Sequence, residues 1–351
     1  MSRKRTAILT AGLAAGAVVS GVVGRTIVRR HRHADPEAEE PLAMLPPDDL
    51  GTVRSFDGTE LAVRAAGDPG LPTLVFAHGF SLDLTAWHYQ WTALSDRFRC
   101  VLFDFRSHGQ SGPAAGGDLS VAAMAHDLAA VIEAVPDGRV VVVGHSMGAM
   151  TMLAMAESRP DVLAERVAGM VFAGVAASNL FLGAMGSVTS LLRPRLGSIR
   201  EAAERLNRVR RYLVARPSDL GGLAARMTQF GPDASPHLVD HVVRLAARAP
   251  SSVWTDGLVG LMDMDLRHAV HHVRVPALVV VGEHDRVTPL SQAVELVGEL
   301  PDGRLEVIPG AGHLTMLERH EEFNAALEAF ASPVLNVKPA RKRSRATKGG
   351  T

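Results

Sequence analysis

Six runs of mostly apolar residues follow one another along the middle of this 351-residue chain. A strand buried on both faces carries such a run, because both rows of alternating side chains then meet apolar neighbours. Segments with helical periodicity, such as residues 121–135 and 147–160, lie between or after the runs. The alternation predicts an α/β fold with a mostly parallel central sheet flanked by helices. The six runs are residues 73–79, 100–105, 139–144, 167–174, 276–285 and 304–309.

The same alternation sets the predicted domain boundaries. Residues 51–175 and 264–331 form the predicted core, which opens with a hairpin at Asp57-Gly58. Residues 176–263 break the alternation, because they are helical in pattern and rich in arginine. They are interpreted as a helical cap inserted after the fourth apolar run. The uncharged residues 177–192 leave two roles open: a segment that rests on a membrane, or a cap helix packed on its own domain.

Residues 6–24 carry no charge and have basic residues on both sides. As a helix they would span about 28 Å, close to the hydrocarbon thickness of a bilayer. We therefore expect residues 1–33 to hold an uncleaved anchor, most simply in the cytoplasmic membrane of a bacterium. The two positive flanks do not fix its orientation, and a cleaved signal peptide is the alternative. A ridge of small residues would allow two such helices to pair in a homodimer: Gly12, Gly16, Ser20 and Gly24.

Charge is unevenly distributed, although the net charge is zero. Residues 1–33 hold seven Lys or Arg and residues 329–351 hold six, with no acid in either segment. The acidic, proline-rich residues 34–50 are typical of a linker between a membrane and a folded body. Residues 332–351 are interpreted as a disordered basic tail. Nucleic acid is not an expected partner, because residues 338–350 contain no aromatic side chain to stack on a base.

The valine-rich run at 139–144 leads into Gly144-His145-Ser146-Met147-Gly148, just before a helical segment. Gly-x-Ser-x-Gly between a strand and a helix is the pattern of a nucleophile elbow. The sharp turn strains the backbone at Ser146, and the two glycines remove side chains that would collide there. The serine hydroxyl is then exposed at the carboxyl edge of the sheet, beside the unpaired N–H groups of the helix start.

An acid and a histidine follow in the chain order that a serine nucleophile of this geometry needs. Asp285 ends the fifth apolar run, and His313 lies on the loop after the sixth. We predict that Ser146 is the nucleophile, that His313 is its general base and that Asp285 orients the imidazole. Asp263 and Asp265 are alternative candidates for the acid.

Other residues are predicted to support the nucleophile. The backbone N–H groups of Phe80 and Met147 are the expected oxyanion donors, and His78 and Gly79 shape the turn before Phe80. Asp104 is expected to fix a loop near the site.

Further histidines and the single cysteine are assigned structural roles. His145 is interpreted as packing within the elbow, and Cys100 as a buried thiol. His268, His271 and His272 are interpreted as an exposed surface turn. No metal site and no organic cofactor are predicted.

With these motifs the chain from about residue 51 to 331 resembles the α/β-hydrolase fold superfamily, in a form with a helical cap. Ser107 stands where the family motif more often has glycine. In this family, members that open epoxides or remove halides carry an aspartate at the elbow, so the serine implies acyl transfer. The motifs that carry the resemblance are residues 78–80 (HGF), 104–111 (DFRSHGQS), 144–148 (GHSMG), 275–289 (VPALVVVGEHDRVTP) and 310–318 (GAGHLTMLE).

The expected activity is therefore hydrolysis of carboxylic esters by a serine esterase or lipase. The anchor and the apolar segment at the start of the cap favour lipid-like acyl esters, such as monoacylglycerols. The same motifs leave open an acyltransferase, a carbon–carbon bond hydrolase, a perhydrolase or a non-catalytic binding module.

Overall fold

The computed structural model describes residues 35, 37–136, 138–177, 219–262 and 264–337. Within them eight strands form one sheet in the order β1-β2-β4-β3-β5-β6-β7-β8. The pairs β1–β2 and β2–β4 are antiparallel, and every later neighbour pair is parallel. The strands are β1 Asp48–Arg54, β2 Glu60–Ala66, β3 Thr73–Ala77, β4 Arg99–Phe103, β5 Val140–His145, β6 Val167–Ala173, β7 Ala277–Gly282 and β8 Gly303–Ile308. The predicted α/β fold and its hairpin are confirmed.

Helices cover both faces of the sheet, because the central strands are apolar on both faces. In β5, Val140 and Val142 contribute to one core cluster, whereas Val141 and Val143 contribute to the other. The described helices are α1 His88–Leu94, α2 Val121–Ala134, α3 Met147–Ser158, α4 Pro160–Arg166, α5 Asp219–Gln229, α6 Pro236–Arg248, α7 Leu258–Met262, α8 Leu290–Glu299, α9 Thr315–Glu318 and α10 His320–Val334.

Helix α3 follows β5 directly and is apolar on all sides over most of its length. Residues 147–156 are all buried, as expected for a helix without a polar face. The parallel strands β3 to β8 end at a common edge, so the loops that follow β3, β5, β7 and β8 lie together there. This carboxyl edge is where open α/β sheets bind their ligands.

Among the described residues between β6 and β7, where the cap is predicted, three α-helices are inserted. They are α5, α6 and α7, and a π-helical turn, Val253–Gly257, leads into α7. Ser235 caps the start of α6, because its hydroxyl accepts hydrogen bonds from the N–H groups of His237 and Leu238. Residues 178–218, which hold the predicted arginine-rich part of the cap, lie outside the described residues.

The prediction of a linker over residues 34–50 is wrong in two respects. Strand β1 already begins at Asp48. The preceding residues pack on the folded body, where Leu42 is buried and the Asp35 carboxylate accepts hydrogen bonds from Ser235 Oγ (2.8 Å) and from the N–H of His237 (3.0 Å). The predicted end of the core at residue 331 is also too early, because α10 continues to Val334.

The predicted anchor at 6–24 and the basic residues 338–351 lie outside the described residues. In the part of the chain that the structure describes, no helix is long and apolar enough to cross a membrane.

Cys100 is buried, and burial raises its pKa to about 12. The surface turn is confirmed, since its three histidines, His268, His271 and His272, lie exposed on a 3₁₀ helix. Among the described residues, no cluster of His, Cys, Asp or Glu could hold a metal ion.

Candidate active site

Ser146 lies at the sharp turn between β5 and α3. Its backbone has φ 51° and ψ −112°, a strained conformation for a residue with a side chain. A Cβ at Gly144 would lie 2.5 Å from Met152 Sδ, and one at Gly148 would overlap the carbonyl oxygen of Ala77. Both glycines are therefore required by close packing between the turn, α3 and β3. The elbow geometry matches the sequence prediction.

His313 and Asp285 form a buried pair at the same edge of the sheet. His313 Nδ1 lies 2.9 Å from Asp285 Oδ2, and both side chains are almost fully buried. Asp265 is not placed to replace Asp285 in this pair. Asp265 is an exposed ion-pair partner of Arg267, and Asp263 lies outside the described residues.

Four hydrogen bonds surround the Asp285 carboxylate. Besides the imidazole, it accepts from the N–H groups of Val287 and Thr288 (2.8 Å each) and from Thr288 Oγ1 (2.7 Å). Burial alone would raise the pKa of Asp285, but the electrostatic interaction with His313 and these hydrogen bonds hold the pKa below its ordinary value. Asp285 is therefore ionised at neutral pH and fixes the Nδ1–H tautomer of His313.

The chain that follows β6 contacts both Ser146 and His313. The N–H of Ser146 donates to the carbonyl of Ala173 at 2.8 Å. The next residue, Gly174, has φ 56°, and a Cβ there would lie 3.0 Å from His313 Cε1. A side chain at Gly174 would push the imidazole away, so this glycine lets His313 approach the elbow.

His145 does more than pack within the elbow. Its Nε2–H donates to the carbonyl of His313 at 3.1 Å, and the two rings lie 4.7 Å apart between centroids. Burial lowers the pKa of His145 to about 3, so the ring stays neutral. His145 therefore connects the elbow to the His313 loop and is not placed as a base for Ser146.

The two predicted oxyanion donors flank the elbow. Met147 is the first residue of α3, so its N–H belongs to the helix-start donors that have no acceptor within the helix. Phe80 follows β3, the strand next to β5. A Cβ at Gly79 would lie 2.5 Å from His145 Nδ1, so the turn before Phe80 packs directly on the elbow.

His78 holds this turn from inside. Its Nε2 accepts the N–H of Phe105 (3.1 Å), and its Nδ1–H donates to the carbonyl of Gly79 (2.8 Å). Burial lowers the pKa of His78 to about 4, so the neutral ring bridges two loops.

Asp104 joins two further loops, as the sequence led us to expect. Its carboxylate accepts the N–H groups of Leu84 (2.8 Å) and Gln110 (2.7 Å). Burial, with a smaller contribution from Asp83, raises the pKa of Asp104 to about 7. Ser107 adopts φ 61°, which explains why the related motif more often has glycine at this position.

Two site residues were missed in the sequence. Thr288 donates to Asp285, and the carboxylate of Glu318 accepts N–H groups on both sides of His313, from Gly312 (3.0 Å) and Leu314 (3.2 Å). An acid three residues before a threonine is a local sequence signal for the contact between Thr288 and Asp285. No local pattern distinguishes Glu318 from the acids that follow it.

The comparisons with known proteins agree with this architecture. Residues 72–320 match the alpha/beta hydrolase fold family, and because this is more than half of the chain, the chain belongs to that family. A pimeloyl-[acyl-carrier protein] methyl ester esterase from Nitrosomonas europaea is 27% identical over 266 residues, which cover 74% of this chain and 95% of that protein.

Solved structures of esterases superpose on most of the chain. The esterase EaEST from Exiguobacterium antarcticum has a TM-score of 0.66 at 24% identity and covers 80% of this chain and 99% of its own. A thermophilic esterase from Thermogutta terrifontis has a TM-score of 0.63 at 26% identity and covers 81% of this chain and 98% of its own. The protein is therefore an enzyme of the α/β-hydrolase class.

Proposed function

We propose that the protein is a serine hydrolase that cleaves carboxylic esters. The observation that carries the proposal is the buried Asp285–His313 pair, which lies at the same sheet edge as the strained Ser146. The esterase relatives support an ester as the substrate class.

The first half of the reaction forms an acyl-enzyme. With Nδ1–H held by Asp285, Nε2 of His313 carries the lone pair that accepts the proton of the Ser146 hydroxyl. The serine oxygen attacks the ester carbonyl, and the N–H groups of Phe80 and Met147 stabilise the resulting oxyanion. Loss of one such donor typically raises the barrier by about 3–4 kcal/mol. The imidazolium gives its proton to the leaving alkoxide, which departs as the alcohol and leaves the acyl-enzyme.

The second half of the reaction releases the acid. His313 takes a proton from water as the water oxygen attacks the acyl carbon; the bond to the Ser146 oxygen then breaks, the imidazolium returns its proton to that oxygen, and the acid departs. No step requires a metal or an organic cofactor.

A series of p-nitrophenyl esters from acetate to palmitate tests the proposal on wild type and on Ser146→Ala. We expect hydrolysis by wild type and loss of at least about a thousandfold in the variant. Activity that survives Ser146→Ala, or a folded wild type that cleaves none of the esters, would contradict ester hydrolysis at Ser146. An added alcohol separates the acyltransferase, because the product is then a new ester instead of the free acid.

We further propose that the enzyme acts on lipid-like esters and is held at a membrane by residues 6–24, with the cytoplasmic membrane of a bacterium as its location. The uncharged segment between basic flanks supports this, as do the exposed Leu223 and Met227 on α5. Fractionation of cells that express the full chain or a chain without residues 1–33 tests the attachment. Recovery of the full chain in the supernatant after lysis would contradict it.

A further inference from the structure

A π-helical turn of the inserted helices lies against the residue that supplies the proposed oxyanion donor. The turn spans Val253–Gly257, and the ring of Phe80 lies against it. Turns of this kind are rare and are often found at functional sites. The contact therefore joins the inserted helices to the reacting edge of the sheet.

Two aromatic rings define this contact. The rings of Phe80 and Trp254 lie 5.3 Å apart between centroids and at 84° to each other, an edge-to-face arrangement. Trp254 Nε1–H donates to the carbonyl of Ala246 at 3.1 Å, so the indole N–H is already paired and the ring orientation is fixed. Trp254 is still 37% exposed, so part of this residue remains accessible beside the contact.

We propose that Phe80 and Trp254 form the wall of an acyl-binding subsite that accepts an apolar acyl group. This inference rests on the proposed ester hydrolysis, because the Phe80 N–H then marks the position of the carbonyl oxygen. The Phe80 ring extends from the same residue, so this part of the wall lies within one side chain's length of that N–H. No polar group of the two rings is left to recognise a polar chain.

The arrangement assigns this wall to the acyl group and not to the leaving alcohol. His313 protonates the leaving group, so the alcohol must lie on the imidazole side. Different residues surround the two regions: Gly174 lies next to the imidazole, whereas Trp254 and Gly257 lie next to Phe80. The acyl chain therefore extends from the carbonyl carbon towards the aromatic wall.

Gly257 limits the space beside the wall. A Cβ at this position would lie 3.3 Å from Phe80 Cε2 and 4.0 Å from Leu119 Cβ. Gly257→Ala therefore presses on the Phe80 ring from the side of the inserted helices. The residue is helical, so alanine introduces no backbone strain.

The experiment measures kcat/KM of the full-length protein for p-nitrophenyl acetate, butyrate, octanoate and palmitate. We expect Trp254→Ala to lower the value for octanoate roughly ten- to a hundredfold, the loss for one large apolar contact, and to change the value for acetate less than about twofold. Trp254→Phe keeps the aromatic wall and is expected to retain octanoate activity within about threefold. Gly257→Ala is expected to lower octanoate activity more than acetate activity.

Leu50→Ala is the matched control, because it also truncates an exposed apolar side chain. Leu50 is 49% exposed on β1, an edge strand of the sheet outside the inserted helices. This variant is expected to leave the chain-length profile unchanged. Equal losses for acetate and octanoate in Trp254→Ala would overturn the subsite, since they indicate a general role in holding the Phe80 loop. An unchanged profile in Trp254→Ala would overturn it too.

Binding separates failure of the subsite from failure of the proposed function. Calorimetric titration of Ser146→Ala with p-nitrophenyl octanoate is expected to show binding that weakens about tenfold or more in Ser146→Ala/Trp254→Ala. If wild type hydrolyses no ester but this difference is found, the proposed function fails and the subsite stands. If hydrolysis depends on Ser146 but the two proteins bind octanoate equally, the subsite fails and the proposed function stands.

Discussion

Glu318 holds the loop around His313 through three backbone N–H groups, and its replacement by alanine tests how much stability they contribute. Oε1 accepts from Gly312 and Leu314, and Oε2 accepts from Gly231 at 2.6 Å. Alanine leaves all three donors without this acceptor. Because a buried unpaired donor costs about 1–3 kcal/mol, we expect Glu318→Ala to lower the free energy of unfolding by at least about 3 kcal/mol.

The pH dependence of stability tests the charge of the same group, with Glu318→Gln as the neutral, equally sized variant. Burial raises the pKa of Glu318 to about 7 from an ordinary value of 4.5, and the three N–H donors offset only part of that effect. The native state then keeps this proton to higher pH than the unfolded chain does. Its contribution to folding is complete below about pH 4.5 and is lost as the pH rises through about 7.

A difference of that size between the native and unfolded pKa values corresponds to about 3 kcal/mol in the free energy of unfolding. Between pH 4.5 and pH 8 the free energy of unfolding of wild type is therefore expected to fall by up to this amount relative to that of Glu318→Gln. Urea unfolding at a series of pH values measures the difference. Hydrogen exchange of the amides of Gly231, Gly312 and Leu314 reports their hydrogen bonds to Glu318 directly. These amides should lose protection in Glu318→Ala.

Two results would refute this reasoning about Glu318. A loss of less than about 1 kcal/mol in Glu318→Ala, with protected amides, would mean that other groups hold the loop. A wild-type stability that runs parallel to that of Glu318→Gln from pH 4.5 to pH 8 would mean that the pKa of Glu318 is not raised.

Two further predictions concern buried charges. Asp285→Asn places an amide N–H₂ against Nδ1 of His313 and forces the imidazole proton onto Nε2. We therefore expect kcat for ester hydrolysis to fall about 10³–10⁴-fold, with an unchanged melting temperature. A fall in kcat of less than tenfold would contradict the role of Asp285. Arg106 donates to Asp127 from Nε (2.7 Å) and Nη2 (2.6 Å), with both side chains fully buried. Lysine cannot make both contacts, so Arg106→Lys should lower the free energy of unfolding by about 3–5 kcal/mol in urea, and a loss below about 1 kcal/mol would contradict the pairing.

The apolar runs could be located in the sequence because burial on both faces leaves a local pattern. The elbow could be located for the same reason, since strand, turn and helix are adjacent in the chain around Ser146. The order of the strands had no such signal. In the sheet β4 lies between β2 and β3, an arrangement that depends on pairing between segments far apart in sequence.

The contacts that sequence reasoning missed join residues distant in the chain. Asp35 was assigned to a linker from its acidic, proline-rich surroundings, yet its carboxylate binds Ser235, 200 residues further along. The Glu318–Gly231 and Phe80–Trp254 contacts likewise join the core to the inserted helices. Composition describes the solvent exposure of a segment on average, and it does not identify a single distant partner.

These long-range contacts connect the inserted helices to the Asp285–His313 pair. The N–H of His313 donates to the carbonyl of Gln229 (2.7 Å) at the end of α5. Arg286, the residue after Asp285, donates from Nη1 to the carbonyl of Met227 (2.6 Å) on the same helix. Both loops of the pair are therefore bonded to the last turn of α5, and a shift of that turn must move the acid, the imidazole or both. In the proposed mechanism acid–base transfer depends on close placement of these groups, so we expect substitutions on α5 that touch no substrate to lower kcat.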